Sequence, residues 1–112
     1  MQIKQGNTMH VIIWEYRVKA EYVSMFEEIY ARGGAWTKLF QNSKGYLATE
    51  LLRDTGDPHR YITIDRWTTT EEYETFLSQW KTEYAAVDAQ CEGWTEREIL
   101  CGRLEMISHE AR

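Results

Sequence analysis

The stretch Arg60–Leu77, RYITIDRWTTTEEYETFL, changes its period half-way, and that change decides the fold. Up to Trp67 it alternates: Tyr61, Asp65 and Trp67 fall on one side and Ile62, Ile64 and Arg66 on the other, the two-residue repeat of a strand rich in β-branched and aromatic side chains. Beyond it the apolar residues are Tyr73, Phe76, Leu77, Trp80, Tyr84 and Val87, spaced by threes and fours as on one face of a helix. Thr68 and Thr69 each precede a glutamate by three residues, the capping-box pattern in which hydroxyl and carboxylate satisfy free backbone N–H groups. A helix is therefore expected from there to as far as Cys91, before Gly93.

Working outward, DTGDP (54–58) is a chain reversal, and GYLATELLRD (45–54) before it reads as the partner strand of a hairpin. The run HVIIWEYRVK (10–19) is another strand. From Ala20 the spacing of Tyr22, Val23, Phe26, Ile29 and Tyr30 is helical, Gly33 and Gly34 interrupt it, and Trp36, Leu39 and Phe40 continue as a short helix or bent extension to about Asn42. A last strand is expected from Thr95 to Met106. The order β, α, β, β, α, β is the split βαβ arrangement, so the class is α+β, a ferredoxin-like βαββαβ fold with a four-stranded antiparallel sheet. The domain is placed at 10–106, after a polar, tag-like or disordered 1–9 and before a C-terminal tail at 107–112. A chain of 112 residues holds one such domain.

Helices cover only one face of such a sheet, yet these strands are apolar on both. Val11 and Ile13 oppose Ile12 and Trp14, and Ile62 and Ile64 oppose Tyr61 and Trp67, while simple alternation sets Tyr46 and Leu52 against Leu47 and Leu51. A second copy is the simplest cover, so a homodimer with sheets face to face, an α+β barrel, is expected. The five tryptophans among fifteen aromatic residues fit that need for additional ring surface.

Composition narrows the function. With 18 acidic against 13 basic residues and no basic patch, nucleic acid is not an expected partner. Eight carboxylates between Glu71 and Glu98 face only Lys81 and Arg97, which reads as a solvated helix face. Cys91 and Cys101 form no CxxC pair, and His10, His59 and His109 have no ligand spacing and read as solvated or capping, so no metal is expected. No GxSxG elbow or glycine-rich phosphate loop is present, and no cofactor is expected. With no apolar run of spanning length or signal-peptide pattern, a cytoplasmic protein without membrane contact is expected.

What remains is charge within apolar strands: Glu15, Arg17, Glu50, Asp65, Arg66, Arg97 and Arg103. Such groups form ion pairs or line a cavity, since an isolated buried charge shifts its pKa until it neutralises. Tyr16, Trp36, Phe40, Trp67 and Tyr84 are candidates to line a gap between sheet and helices that takes a small hydrophobic or aromatic ligand. Tyr73, Phe76 and Trp80 lie on an inward stripe and read as core.

The strands VIIWEYRV (11–18) and GYLATELLRD, and above all RYITIDRWTTTEEYETFL, resemble the antibiotic biosynthesis monooxygenase domain family of the dimeric α+β barrel superfamily, over about His10 to Leu104. The resemblance implies a cofactor-independent monooxygenase or related oxidoreductase acting on an aromatic or quinol-like compound. The protein would supply a base and an oxyanion clamp while the deprotonated substrate activates oxygen. Trp67 and Tyr16 would then line the site, Asp65 or Glu50 would be the base, and Arg66 or Arg17 would steady the anion, although Arg66 points away from the face of Asp65 and Trp67. In the heme-degrading branch, Trp67 has a counterpart, but Tyr16 stands at the asparagine position and no histidine occurs from Thr68 to Thr95, so heme is not expected. A non-enzymatic dimeric module that binds a hydrophobic molecule, or an isomerase or lyase of the same superfamily, are the alternatives.

Overall fold

In the computed structural model, which describes residues 8–108, the hairpin sets the register of the sheet. Strand β2 (Tyr46–Asp54) turns through Thr55 and Gly56 into β3 (Asp57–Trp67), and Asp54 Oδ1 accepts the Gly56 N–H at 2.7 Å. Strand β1 (His10–Val18) lies antiparallel to β3 with His10 opposite Trp67 and Arg17 opposite Arg60, and β4 (Thr95–Glu105) runs along the other side of β1. The order β2-β3-β1-β4, antiparallel throughout, is that of the ferredoxin-like fold.

Burial along β3 follows the pleat: Tyr61, Thr63, Asp65 and Trp67 are buried, and Ile62, Ile64 and Arg66 between them are half-buried. Helices α1 (Val23–Tyr30), α2 (Ala35–Phe40), α3 (Thr70–Gln79) and α4 (Lys81–Gln90) cover the first set. Phe26, Tyr30, Trp36, Leu39, Phe40 and Phe76 pack from the helices onto Ile12, Tyr16, Val18, Tyr61 and Trp67. The opposite face keeps Leu52, Ile99 and Leu104 exposed.

Gly33 and Gly34 separate α1 from α2 for two reasons. Gly33 has φ 84°, a left-handed conformation that glycine adopts freely, and a Cβ on Gly34 would collide with the carbonyls of Glu28 and Ile29. The Gly33 N–H then donates to Thr37 Oγ1 at 2.9 Å.

Several boundaries differ from the sequence reading. β3 begins at Asp57, two residues before the expected His59, because the reversal needs only Thr55 and Gly56. At the helix start only Thr69 caps, its hydroxyl accepting the Glu72 N–H at 3.0 Å. The single helix expected up to Cys91 is two, broken at Trp80 (φ −113°, ψ 29°), where no glycine or proline marks the sequence. In β2, Tyr46 pairs with Trp67 but Ala48 pairs with Arg66, so Leu47 is a bulge. Beyond it Thr49 and Leu51 face the helices, and Tyr46 and Leu52 lie on opposite faces. Met9 already takes part in the fold, its carbonyl accepting the Met106 N–H at 2.9 Å. Residues 1–7 and 109–112, with His109, lie outside the described residues.

Candidate active site

Between the helical layer and the sheet lies a cavity of about 200 Å³. The sheet contributes Trp14, Tyr16, Thr49, Thr63 and Asp65, and α1 and α2 contribute Tyr30, Trp36 and Phe40. Tyr84 and Asp88 from α4 and Glu98 from β4 complete the lining. The break at Trp80 brings α4 across so that Tyr84 meets Trp36 edge to face, with ring centroids 4.8 Å apart.

Asp65 is the buried carboxylate of this lining. The pleat of β3 turns it inward, where it is 9% exposed, and burial raises its pKa from the ordinary carboxylate range to about 6. A hydrogen bond opposes part of that rise: Thr49 Oγ1 donates to Asp65 Oδ1 at 2.6 Å, and Tyr46 Oη donates to Thr49 Oγ1 at 2.7 Å. Among the described residues no group donates to the other carboxylate oxygen. A carboxylate with this pKa is ionised for the most part at neutral pH yet accepts a proton readily, as a general base must.

Beside it, the Tyr16 hydroxyl lies 3.3 Å from Thr63 Oγ1, and burial pushes its pKa well above the ordinary phenol value. Burial likewise raises Tyr30 and Tyr84. All three remain neutral phenols, able to donate a hydrogen bond toward an anion but not to serve as bases.

Five of the residues selected from sequence therefore meet at one cavity: Tyr16, Asp65, Trp36, Phe40 and Tyr84. Trp67 does not line it. Its ring is fully buried between Phe40, Tyr46, Tyr73 and Phe76, with centroids 5.1–5.5 Å away, and its indole N–H has no partner among the described residues. Glu50 lies on the opposite face, exposed and paired with Arg66 Nη2 at 2.8 Å. Arg17 is held on that face by Asp57, so neither arginine reaches the cavity to steady an anion there. Strand parity is the reason for Arg17 and Arg66, and for Glu50 it is the bulge at Leu47, which shifts the parity of β2. His10 is buried rather than solvated: Arg103 Nε donates to its Nε2 at 3.1 Å, and burial, then the Arg103 charge, lowers its pKa.

Sequence reasoning missed Trp14, Tyr30, Thr49, Thr63, Asp88 and Glu98. Parity with Tyr16 and Asp65 was a usable signal for Trp14 and Thr63, and Tyr30 stood on the inward stripe of α1. Thr49 depends on the bulge, and Asp88 and Glu98 had no distinguishing mark within a stretch that reads as solvated. Cys91 and Cys101 are both free thiols, and no group of three His, Cys, Asp or Glu side chains among the described residues could hold a metal ion. No helix among them is long and apolar enough to cross a membrane.

A family model described as antibiotic biosynthesis monooxygenase matches residues 9–79, from the start of β1 to the end of α3. The chain belongs to the antibiotic biosynthesis monooxygenase family. Solved structures agree on the fold at low identity. SnoaB, a cofactor-independent oxygenase from Streptomyces nogalater, is 16% identical, with a TM-score of 0.68 over 91% of this chain and 99% of that one. A Pseudomonas aeruginosa protein is 14% identical, with a TM-score of 0.68 over 94% of this chain and 100% of that one. A conserved protein from Bacteroides thetaiotaomicron, described as a possible oxidoreductase, is 14% identical with a TM-score of 0.67, covering 89% of this chain and 99% of its own. No curated protein matches by sequence. Within this antibiotic biosynthesis monooxygenase domain, Tyr84, Asp88 and Glu98 fall after the matched segment.

Proposed function

We propose that this protein is a cofactor-independent monooxygenase that oxidises a compact phenol or hydroquinone, with Asp65 as the base. The observation that carries the reading is Asp65 itself: a buried carboxylate with a pKa near 6, one oxygen held by Thr49, in a cavity walled by rings. Membership of the family supports the reaction class. A cavity of about 200 Å³ suits a one- or two-ring substrate. An engineered apolar cavity of about 150 Å³ holds benzene, whereas sites for drug-sized ligands are about 300–1,000 Å³.

Asp65 takes the phenolic proton, and the phenolate passes one electron to O2. The resulting radical and superoxide couple at a ring carbon to give a peroxide anion. Loss of that carbon's hydrogen with cleavage of the O–O bond leaves a quinone carbonyl and hydroxide, which recovers the proton from Asp65 as water. One oxygen atom enters the product and the other enters water. The neutral phenols of Tyr16 and Tyr84 are suited to donate to the negative oxygens along the way.

Oxygen consumption measured with naphthols, hydroquinones and larger anthrones tests this, with labelled O2 to trace the incorporated atom. Uptake is expected with the small phenols and little with tricyclic ones. Turnover under anaerobic conditions would instead indicate an isomerase or lyase, and binding without turnover a ligand-binding module.

The second part of the proposal is a homodimer joined through the outer sheet face. Ile13 and Ile64 are direct cross-strand partners there, and Leu52, Ile99 and Leu104 stay exposed around them. Apolar groups gathered in one patch favour a protein cover over water.

A further inference from the structure

Among the described residues the cavity is lined by three carboxylates, Asp65, Asp88 and Glu98, and by no lysine, arginine or histidine. The remaining side chains of its lining are six rings and two threonine hydroxyls. The arginines are occupied elsewhere: on the opposite face Arg17 pairs with Asp57 and Arg66 with Glu50, and Arg103 is held by Glu74 and His10, each at 3.1 Å. All three carboxylates lie near the Tyr84 phenol, whose pKa is raised by burial first, then by Tyr73, Asp88, Asp65 and Glu98.

Two of these carboxylates stand differently from the third. Asp88 and Glu98 are exposed, so their attraction is screened by water and salt. Asp65 is buried and has an oxygen with no donor among the described residues, so an interaction with it is stronger. A ligand in the cavity lies among these three carboxylates and the rings of Trp14, Tyr16, Tyr30, Trp36, Phe40 and Tyr84. Aromatic walls with carboxylates are the chemistry that recognises organic ammonium ions, which gain cation–π attraction and charge-assisted hydrogen bonds together. A ligand that brings a fixed anionic group such as a carboxylate finds no basic partner among the described lining residues.

We infer that this cavity selects a compact organic cation, an aryl-alkyl ammonium whose ring lies against the aromatic walls and whose ammonium group is directed to the carboxylates. The inference rests on the cavity as a ligand site, not on the oxygen chemistry. Asp88 and Glu98 lie outside the segment that matches the family, so this charge pattern is read from the chain's own residues.

Three probes of one ring and similar size separate charge from shape: tyramine, para-ethylphenol and para-hydroxyphenylpropionate. Titration calorimetry at low ionic strength is expected to rank them in that order, with tyramine at least about tenfold tighter than the neutral phenol. In an Asp88→Asn, Glu98→Gln double variant the ratio of tyramine to para-ethylphenol affinity should fall several-fold, and added salt should lower it in the parent. Both carboxylates are exposed, and the ratio within one variant controls for its folding. Equal binding of the cation and the neutral phenol, tightest binding of the propionate, or no binding of any probe at millimolar concentration would each overturn the inference. Tyramine selectivity without oxygen uptake on any phenol would leave it standing and count against the monooxygenase reading. Uptake on neutral phenols with no cation preference would do the reverse.

Discussion

Thr49 and Asp65 are direct partners across the β2–β3 ladder, and the threonine hydroxyl donates to the carboxylate at 2.6 Å. The Tyr46 hydroxyl donates in turn to Thr49, so a line of donors runs from a half-buried phenol to the cavity carboxylate. That bond favours the ionised form and opposes the rise caused by burial. Thr49→Val keeps shape and removes the donor, so the Asp65 pKa should rise further. The acid limb of the pH–rate profile is expected to move up by about 0.5–1 unit, consistent with a charge-assisted hydrogen bond of roughly 1.5–3 kcal/mol shared with water in the variant. An unmoved acid limb would show that Asp65 is not the titrating base.

Asp65→Asn should remove oxygen uptake and at the same time stabilise the fold. Burial raises the folded-state pKa from 3.8 to about 6, so between these values the folded protein holds a proton that the unfolded chain has released. Stability therefore falls as pH rises through that window and stays at its lower level above it. Asparagine keeps an acceptor for Thr49 and does not titrate. The variant should match the parent near pH 4 and exceed it at pH 7–8 by about 1–3 kcal/mol. Urea unfolding at the two pH values measures this, and equal stability at pH 8 would remove the argument for a strained buried charge.

The fold was legible because Arg60–Leu77 carries both periods and a cap in one stretch, and β3 obeys its pleat from Tyr61 to Trp67. That same regularity made Asp65 legible. The neighbouring strand obscured its partner. Straight alternation from Tyr46 directs Glu50 inward, whereas the bulge at Leu47 flips the strand and brings Thr49 to Asp65. Nothing in YLATELL announces a bulge; it goes with Tyr46 packing between Phe40 and Trp67, a tertiary arrangement. The split at Trp80 is of the same kind, and it is what carries Tyr84 and Asp88 to the cavity.

Trp67 is a cavity candidate by sequence and by family position, yet its ring packs in the core against Phe40, Tyr46, Tyr73 and Phe76. Trp67→Phe should therefore cost stability and leave ligand affinity within about twofold of the parent. Trp67→Ala should cost about 3–5 kcal/mol, the usual range for emptying a large aromatic site. Paired unfolding and binding measurements on the phenylalanine variant separate the two roles. A loss of turnover at unchanged affinity would return Trp67 to the chemistry.

The outer face gives a test of the assembly. The sheet has four strands, the two shortest 9 residues long, so it presents roughly 30 Å by 19 Å at about 3.3 Å per residue and 4.8 Å between strands. Two such faces bury about 1,100 Å², just above the ~1,000 Å² that a specific interface needs. An interface of that size has little surplus, and Glu50, the β2 partner of Ile64, already has its counter-ion in Arg66, so a further, unpaired charge near the centre should dissociate it. Ile64 sits there, on a central strand opposite Ile13, and Ile64→Glu is expected to halve the mass measured by light scattering at micromolar concentration while circular dichroism stays unchanged. Thr63 and Asp65, its neighbours in sequence, point to the other side, so the monomeric variant should still bind a cavity ligand. A parent protein that is already monomeric at that concentration would leave the apolar face without its proposed cover.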